Sequence, residues 1–296
     1  MNKQPYLFIT SKLSRGLITL ATTMQRRGIP VFVASPARAA ETVRLRIKHL
    51  RIRRLRIFKK VFLFSTENFR AMTRHENLKI YVTDQPALDL ARARKLPFED
   101  IAPEFGVDLS VFNPESVATL LQSRFLSGFN IAPHQKLVTI ISPPGINLET
   151  LFRAMKIVDS PDLVVALFGV NSKSMAARLT RQIEKSGRHI VCTSPEFDAA
   201  TVLRSSYAIL SLGDADPALM ISAIAVGRPA IWQDSPGGIE PNIVLDSVNS
   251  AESVADALNT VLDLPSMERA KIERLNVAAA KKFDVEKAIK KLTAGA

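Results

Sequence analysis

Short apolar runs recur along the chain, most of them followed by a stretch whose apolar positions repeat at three and four. That rhythm predicts buried strands alternating with amphipathic helices. Residues 6–10 (YLFIT) read as a first strand, and LITLATTMQRR as a helix that ends at Gly28, a natural C′ residue. IPVFVAS (29–35) is the next strand. VFLFST (61–66) and LKIYVTD (78–84) read as strands three and four, with a helix over 85–95. The stretch IAPEFGVDLSVFNPES (101–116) loses both periods, gathers turn formers and reads as an interdomain linker. A second series follows: LVTIIS, a helix, DLVVALFG, helix 172–186, HIVCTS, helix 198–206, AILSLG, helix 217–226 and PAIWQ, then two polar-faced helices. Strand–helix–strand spacing of this kind implies parallel crossovers. The expected architecture is α/β, with two doubly wound parallel-sheet domains (1–110 and 111–296) facing across a cleft. Ligands of such sheets bind where loops leave the strand C-termini.

One interval breaks the rhythm. Residues 44–60, RLRIKHLRIRRLRIFKK, hold nine Lys or Arg and no acid, with Leu-Arg-Ile recurring at 45–47, 50–52 and 55–57. On a helix, Val43, Ile47, Leu50, Ile57, Phe58 and Val61 share a face into which Arg54 intrudes. The five-residue phrase fits neither the helix period nor strand alternation. The net charge of +12 falls to about +3 without this segment, so the basicity is local and suits one anionic surface.

With 296 residues, 47% apolar and 6% aromatic, the chain can bury two cores. A single cysteine, Cys192, excludes an intrachain disulfide and a cysteine zinc cluster, and it fits a reducing compartment as an inert strand residue. The four histidines are scattered, with no metal spacing. No apolar run approaches the roughly 18 residues of a membrane span. MNKQPYLFIT lacks the long apolar stretch and cleavage site of a signal peptide. Any membrane contact is expected to be peripheral. Trp232 and Phe168 read as core, and no Gly-x-x-x-x-Gly-Lys phosphate loop or nucleophile–base pair is evident.

From about residue 100 onward the chain resembles the retaining glycosyltransferases with two Rossmann-like domains (GT-B type), the glycogen-synthase and mannosyltransferase relatives. FGVDLSVFNPES resembles their interdomain segment, and DADPALMISAIAVGRPAIWQDSPGGIEP (214–241) their nucleotide-sugar signature. The closing AESVADALNTVLDLPSMERAKIERLNVAAAKKFDVEKAIKKL resembles their last helices, and SKLSRGLITLATTMQRRGIPVFVAS their opening loop, helix and strand. The resemblance implies a nucleotide-sugar as co-substrate, with no resident cofactor and no metal. Asp214-Ala215-Asp216 has the spacing of a metal-binding pair, yet it falls on the family's Glu turn. By that likeness Asp214 would lie near the transferred sugar as the catalytic carboxylate. The donor would be bound by Gly16, by Ala218, Leu219 and Ser222 at the helix that starts with Asp216-Pro217, and by Gly237 and Gly238. Glu240 could take over a hydroxyl contact. A helix N-terminus at a strand's C-terminal edge suits a diphosphate, and Gly16 permits either close phosphate approach or a tight turn.

The departures are chemical. The family's two glutamates, eight positions apart, correspond here to Asp214 and Ser222, and a hydroxyl cannot grip two ribose hydroxyls as a carboxylate does. SPPGINLET (142–150) lacks the Arg and Lys that stabilise a departing diphosphate in the family. Asp216 adds negative charge at that turn. His75 is a poor match to the acceptor-side histidine. The reading is a glycosyltransferase with weakened activity, acting on a lipid-linked or polysaccharide acceptor at the inner face of the cell membrane. The alternatives are a non-catalytic binding or scaffold protein of the same fold, and a nucleic-acid-associated protein. Arg44, Arg46, Lys48, Arg51, Arg53, Arg54, Arg56, Phe58, Lys59 and Lys60 would meet the anionic membrane surface. With one aromatic the segment lacks a stacking platform, which argues against nucleic acid.

Overall fold

The computed structural model describes residues 6–9, 15–34, 48–49, 60–63, 78–82, 98–100, 106–141, 148–168, 189–193, 198–213, 217–233 and 240–293. The chain divides into two compact units, Met1–Asp108 with Phe283–Ala296, and Leu109–Lys282. The last fourteen residues therefore return to the first unit, whereas the sequence reading ran the second domain through to residue 296.

In the first unit β1 (Tyr6–Ile9), β2 (Val31–Ala34), β3 (Lys48–His49), β4 (Lys60–Leu63), β5 (Leu78–Val82) and β6 (Phe98–Asp100) form one parallel sheet in the order β3-β2-β1-β4-β5-β6. The order reverses between β1 and β4, and α1 (Arg15–Arg26) follows β1 at that point. Its C-terminus closes as a Schellman turn. Gly28 has φ 71°, its N–H donates to Gln25 O, and Ile29 N–H donates to Met24 O. The apolar stripe Leu17, Leu20, Ala21 and Met24 is wholly buried. It packs with Tyr6 and Val31 and with the apolar face of α8 (Val285–Thr293), from which Val285, Ile289 and Leu292 project at helical spacing. Burial raises the Tyr6 phenol above its ordinary range. Arg27 pairs with Glu286 at the start of α8.

The basic segment is not one helix. Lys48 and His49 extend the sheet as β3, paired with Phe32 and Val33, and Lys60 opens β4 opposite Tyr6. Pairing in the parallel sheet claims residues 48–49 and 60, and this rules out a continuous helix over 44–60. Arg44, Arg46, Arg51, Arg53, Arg54, Arg56, Phe58 and Lys59 lie outside the described residues, as do the helices expected over 85–95 and 172–186.

The second unit repeats the winding. Its strands β7 (Lys136–Ile141), β8 (Leu163–Phe168), β9 (Ile190–Thr193), β10 (Ala208–Ser211), β11 (Ala230–Trp232) and β12 (Ile243–Val244) are all parallel, in the order β12-β11-β10-β7-β8-β9. One face is covered by α3 (Glu149–Ile157) and α6 (Ala251–Leu262), whose Leu151, Met155, Val254 and Leu258 share a core with Ile140 and Leu210. Elsewhere α2 (Thr119–Gly128) packs on α4 (Ala199–Ser205), and α7 (Ser266–Ala280) on α5 (Pro217–Ala225). The sequence PALMISAIA is apolar all round, and from Ala218 onward every residue of α5 is buried. Asp198 caps α4 by accepting from Ala200 N and Thr201 N, and Ser250 caps α6 by accepting from Ser253 N.

Helix C-termini gather at the N-terminal edge of this sheet, and cations meet their carbonyls. Lys136 Nζ donates to Leu262 O at 2.6 Å, Arg204 to Val226 O at 3.4 Å, and Arg228 Nε to Arg204 O at 3.2 Å. Arg228 also pairs with Glu273 at 3.1 Å, while the Arg269 guanidinium lies 3.8 Å from the Tyr207 ring centroid. Burial first, then the Arg204 charge, pushes Arg228 down to about 10 against the opposing pull of Glu273. Asn242 Oδ1 accepts from Ala230 N, and Asn276 donates to Arg228 O. This edge is thus closed by its own polar network, which leaves the C-terminal edge for ligands.

Within the first unit, residues 106–107 lie tightly against the start of α8. Val107 N–H donates to Phe283 O and Val285 N–H to Val107 O, at 2.6 and 3.1 Å. Gly106 has φ +97°, and a Cβ there would stand 2.5 Å from Val285 Cα. Gly106→Ala is expected to cost about 2 kcal/mol or more, read as a lower urea midpoint. An unchanged midpoint would contradict this packing of α8 against residues 106–107.

Candidate functional site

The place where a doubly wound sheet reverses its strand order leaves a crevice at the C-terminal ends of two neighbouring strands. In the second unit those strands are β7 and β10. Their parallel register runs from Val138 opposite Ala208 to Ile141 opposite Ser211. One further bond, Leu212 N–H to Ile141 O at 2.9 Å, holds the two chain exits side by side. The segment after Ile141 is SPPGINLET, and the segment after Leu212 is Gly213 followed by Asp214-Ala215-Asp216-Pro217. The two stretches singled out by sequence therefore leave adjacent strand ends. Gly213 takes φ 72°, a left-handed turn that glycine adopts without strain, immediately before Asp214.

α5 begins at Pro217, four residues beyond Gly213, so its first turn opens at this same edge. Ala218 and Leu219 are buried in that turn. Ser222, one turn on, is also buried, and its hydroxyl donates to Ala218 O at 2.7 Å. The only proton on that side chain is committed to the helix, so Ser222 can offer a ligand nothing but lone pairs. Ser211, the last residue of β10, is buried and donates to Gly213 O at 3.4 Å, which ties the strand end to the turn.

Other sequence candidates fall elsewhere. Glu240 is exposed and stands two residues before Asn242, whose side chain is bonded to the start of β11. That sets it on the N-terminal side of β12 rather than beside Leu212. Gly16 lies within α1 as its second residue and is buried in helical backbone, so the tight-turn alternative is not realised; its helix opens at the switch point of the first sheet. Asp214, Gly237 and Gly238 lie outside the described residues, as does His75. Among the described residues no group of His, Cys, Asp or Glu could hold a metal ion, and no helix is long and apolar enough to cross a membrane. Cys192 is half-buried, and burial raises its thiol above the usual range, away from nucleophilic use.

Sequence reasoning took Trp232 as core. It is 2% exposed at the C-terminal end of β11, yet its indole Nε1 is buried without a hydrogen-bond partner. An isolated tryptophan in an apolar strand carries no signal that its N–H will lack an acceptor.

No family model matches the chain, and neither does any curated protein. Solved structures do. A glycosyltransferase from Rickettsia africae ESF-5 aligns over 99% of this chain and 97% of its own, with TM-score 0.72 and 13% identity. Anabaena Alr3699/HepE, in complex with UDP-glucose, aligns over 98% and 99%, with TM-score 0.68 and 13% identity. WaaG, a glycosyltransferase involved in lipopolysaccharide biosynthesis, aligns over 98% and 100%, with TM-score 0.67 and 13% identity. The fold is that of the GT-B glycosyltransferases, two Rossmann-like domains each built on a parallel sheet. At such identity the likeness establishes the fold, and function has to be argued from the site.

Proposed function

We propose that this chain is a glycosyltransferase that binds a nucleotide-sugar against its second unit and transfers the sugar, with retention, to a lipid-linked or polysaccharide acceptor. The observation that carries the reading is the bonded pair of strand ends, Ile141 and Leu212, with α5 opening just beyond. A diphosphate laid across that edge meets the N-terminal end of a helix, the favourable end of its dipole. Asp214, between β10 and α5 in sequence, is the residue assigned to catalysis, as the carboxylate beside the transferred sugar. Gly237 and Gly238 complete the proposed donor contacts on the second unit. UDP-glucose in one solved structure of this fold supports a nucleotide-sugar as ligand class.

A non-catalytic descendant of the fold is the second reading. It is favoured by the Ser222 hydroxyl, held within α5, and by the lack of any Lys or Arg in 142–150. A thermal-shift panel of UDP-, GDP-, ADP- and CMP-sugars separates the two. A ligand at a hundred times its Kd stabilises the folded state by about 2.7 kcal/mol, a shift expected with one nucleotide class. Asp214→Ala should then reduce transfer from that donor to background. Binding without transfer in the wild type favours the scaffold, and no shift with any nucleotide-sugar contradicts the donor site itself.

The acceptor is proposed to be met at the inner face of the cell membrane, where the basic segment 44–60 contacts anionic lipid. Each basic residue near such a surface contributes about 1 kcal/mol. Changing Arg53, Arg54 and Arg56 together to Gln should therefore lower recovery with anionic vesicles by roughly a hundredfold in partition. Equal pelleting of the wild type with neutral and anionic vesicles would remove the membrane from the account.

A further inference from the structure

α7 distributes its side chains in an order that covering α5 does not require. Its inward face carries polar groups that the protein itself engages. Asn276 is buried, accepts from Asn242 and donates to Arg228 O, while Glu273 meets Arg228 and Arg269. Val277 and Glu273 face Gly227, just beyond α5. The large apolar groups point the other way. Met267 is the most exposed large apolar side chain among the described residues, at 81%, and Leu275 is 58% exposed. Helical spacing sets Met267, Lys271, Arg274, Leu275 and Ala278 within about 100° of arc and along about 17 Å of the axis. All five are exposed. The arc contains no acid: Glu268 stands at its margin, and Glu273 is turned inward to its two arginines. Lys281 and Lys282, exposed just past the helix, continue the positive charge.

Single exposed apolar residues are ordinary on a protein surface. Two of them interleaved with cations on one helix face, without an acid, have the pattern of a helix that lies in a lipid interface. We propose that the outward face of α7 docks on an anionic lipid bilayer, with Met267 and Leu275 entering the interface and Lys271, Arg274 and Lys282 at the headgroup phosphates. The long stems of lysine and arginine can lie along apolar surface while their charges reach the headgroups. The arc has no aromatic side chain, which disfavours stacking on nucleic acid and the aromatic anchoring common at protein interfaces. This contact needs neither the donor site nor residues 44–60, and it brings the second unit itself to the membrane.

Sedimentation of the full chain with vesicles tests it, using phosphatidylcholine alone and phosphatidylcholine mixed equally with phosphatidylglycerol. Two double variants divide the contact: Lys271→Gln with Arg274→Gln, and Met267→Gln with Leu275→Gln. All four side chains are exposed, so both variants should melt at the wild-type temperature. Loss of two basic contacts is expected to weaken partition to the mixed vesicles about thirtyfold. Loss of the two apolar side chains is expected to weaken it about tenfold. Arg53, Arg54 and Arg56 changed together to Gln serve as the control for the basic segment. If both α7 variants stay within about twofold of wild type, the inference is overturned, and loss in the control alone leaves the basic segment as the membrane contact. Loss in the cationic variant with the apolar one unchanged also overturns it, because the face then adsorbs by charge without entering the interface. A wild type that ignores the mixed vesicles overturns it as well, in favour of nucleic acid if duplex DNA is bound through Lys271 and Arg274. The donor site, read by thermal shift, is untouched by any of these results.

Discussion

The pairing of β7 with β10 is the constraint on which the second unit depends. Two strands far apart in sequence lie side by side, and the chain leaves them in register, with Leu212 N–H bonded to Ile141 O at 2.9 Å. Parallel pairing sends both exits to one edge, and the reversal of strand order carries their crossovers to opposite sides of the sheet. A crevice results from backbone topology before any side chain is considered. A slip of β10 by one residue along β7 would turn Ala208 and Leu210 out of the core and move the Gly213 turn away from the end of β7.

The opposite edge of the unit is closed. Helix C-termini collect at the N-terminal edge, where Lys136, Arg204 and Arg228 meet their carbonyls and Glu273 offsets part of the accumulated positive charge. α5 is anchored by being apolar on every side, between the sheet and α7. Its one polar group in mid-helix, the Ser222 hydroxyl, is satisfied within the helix. The packing of α5 thus fixes where its first turn begins. In the proposed reading, a donor there would be held by backbone dipoles rather than by cations from 142–150.

Much of the architecture was legible because parallel strands buried on both faces read as continuous apolar runs: LVTIIS, DLVVALFG, HIVCTS and AILSLG became β7 to β10 within a residue or two. Gly28 announced a helix end through local chemistry alone. Features that depend on distant partners were hidden. β3 is two residues inside a run of arginines, and only the ladder with β2 makes it a strand. α2 has Leu120 and Leu121 exposed and shows little periodicity, so it went unseen. The return of α8 to the first unit depends on the match between its stripe and that of α1, which chain order conceals. At the site, the side-by-side chain exits after Ile141 and Leu212 follow from the apolar runs and the topology. The engagement of Ser222 by Ala218 O and the unpaired N–H of Trp232 follow only from coordinates.

The central claim is that the edge formed by β7 and β10 is where a nucleotide-sugar binds. Hydrogen–deuterium exchange of the full chain, with and without saturating UDP-, GDP- or ADP-sugar, tests it directly. The account predicts slowed exchange in segments spanning 141–150 and 212–222, with the 226–230 and 269–276 network at the opposite edge unchanged. Protection confined to that opposite edge, or to the first unit alone, would contradict it.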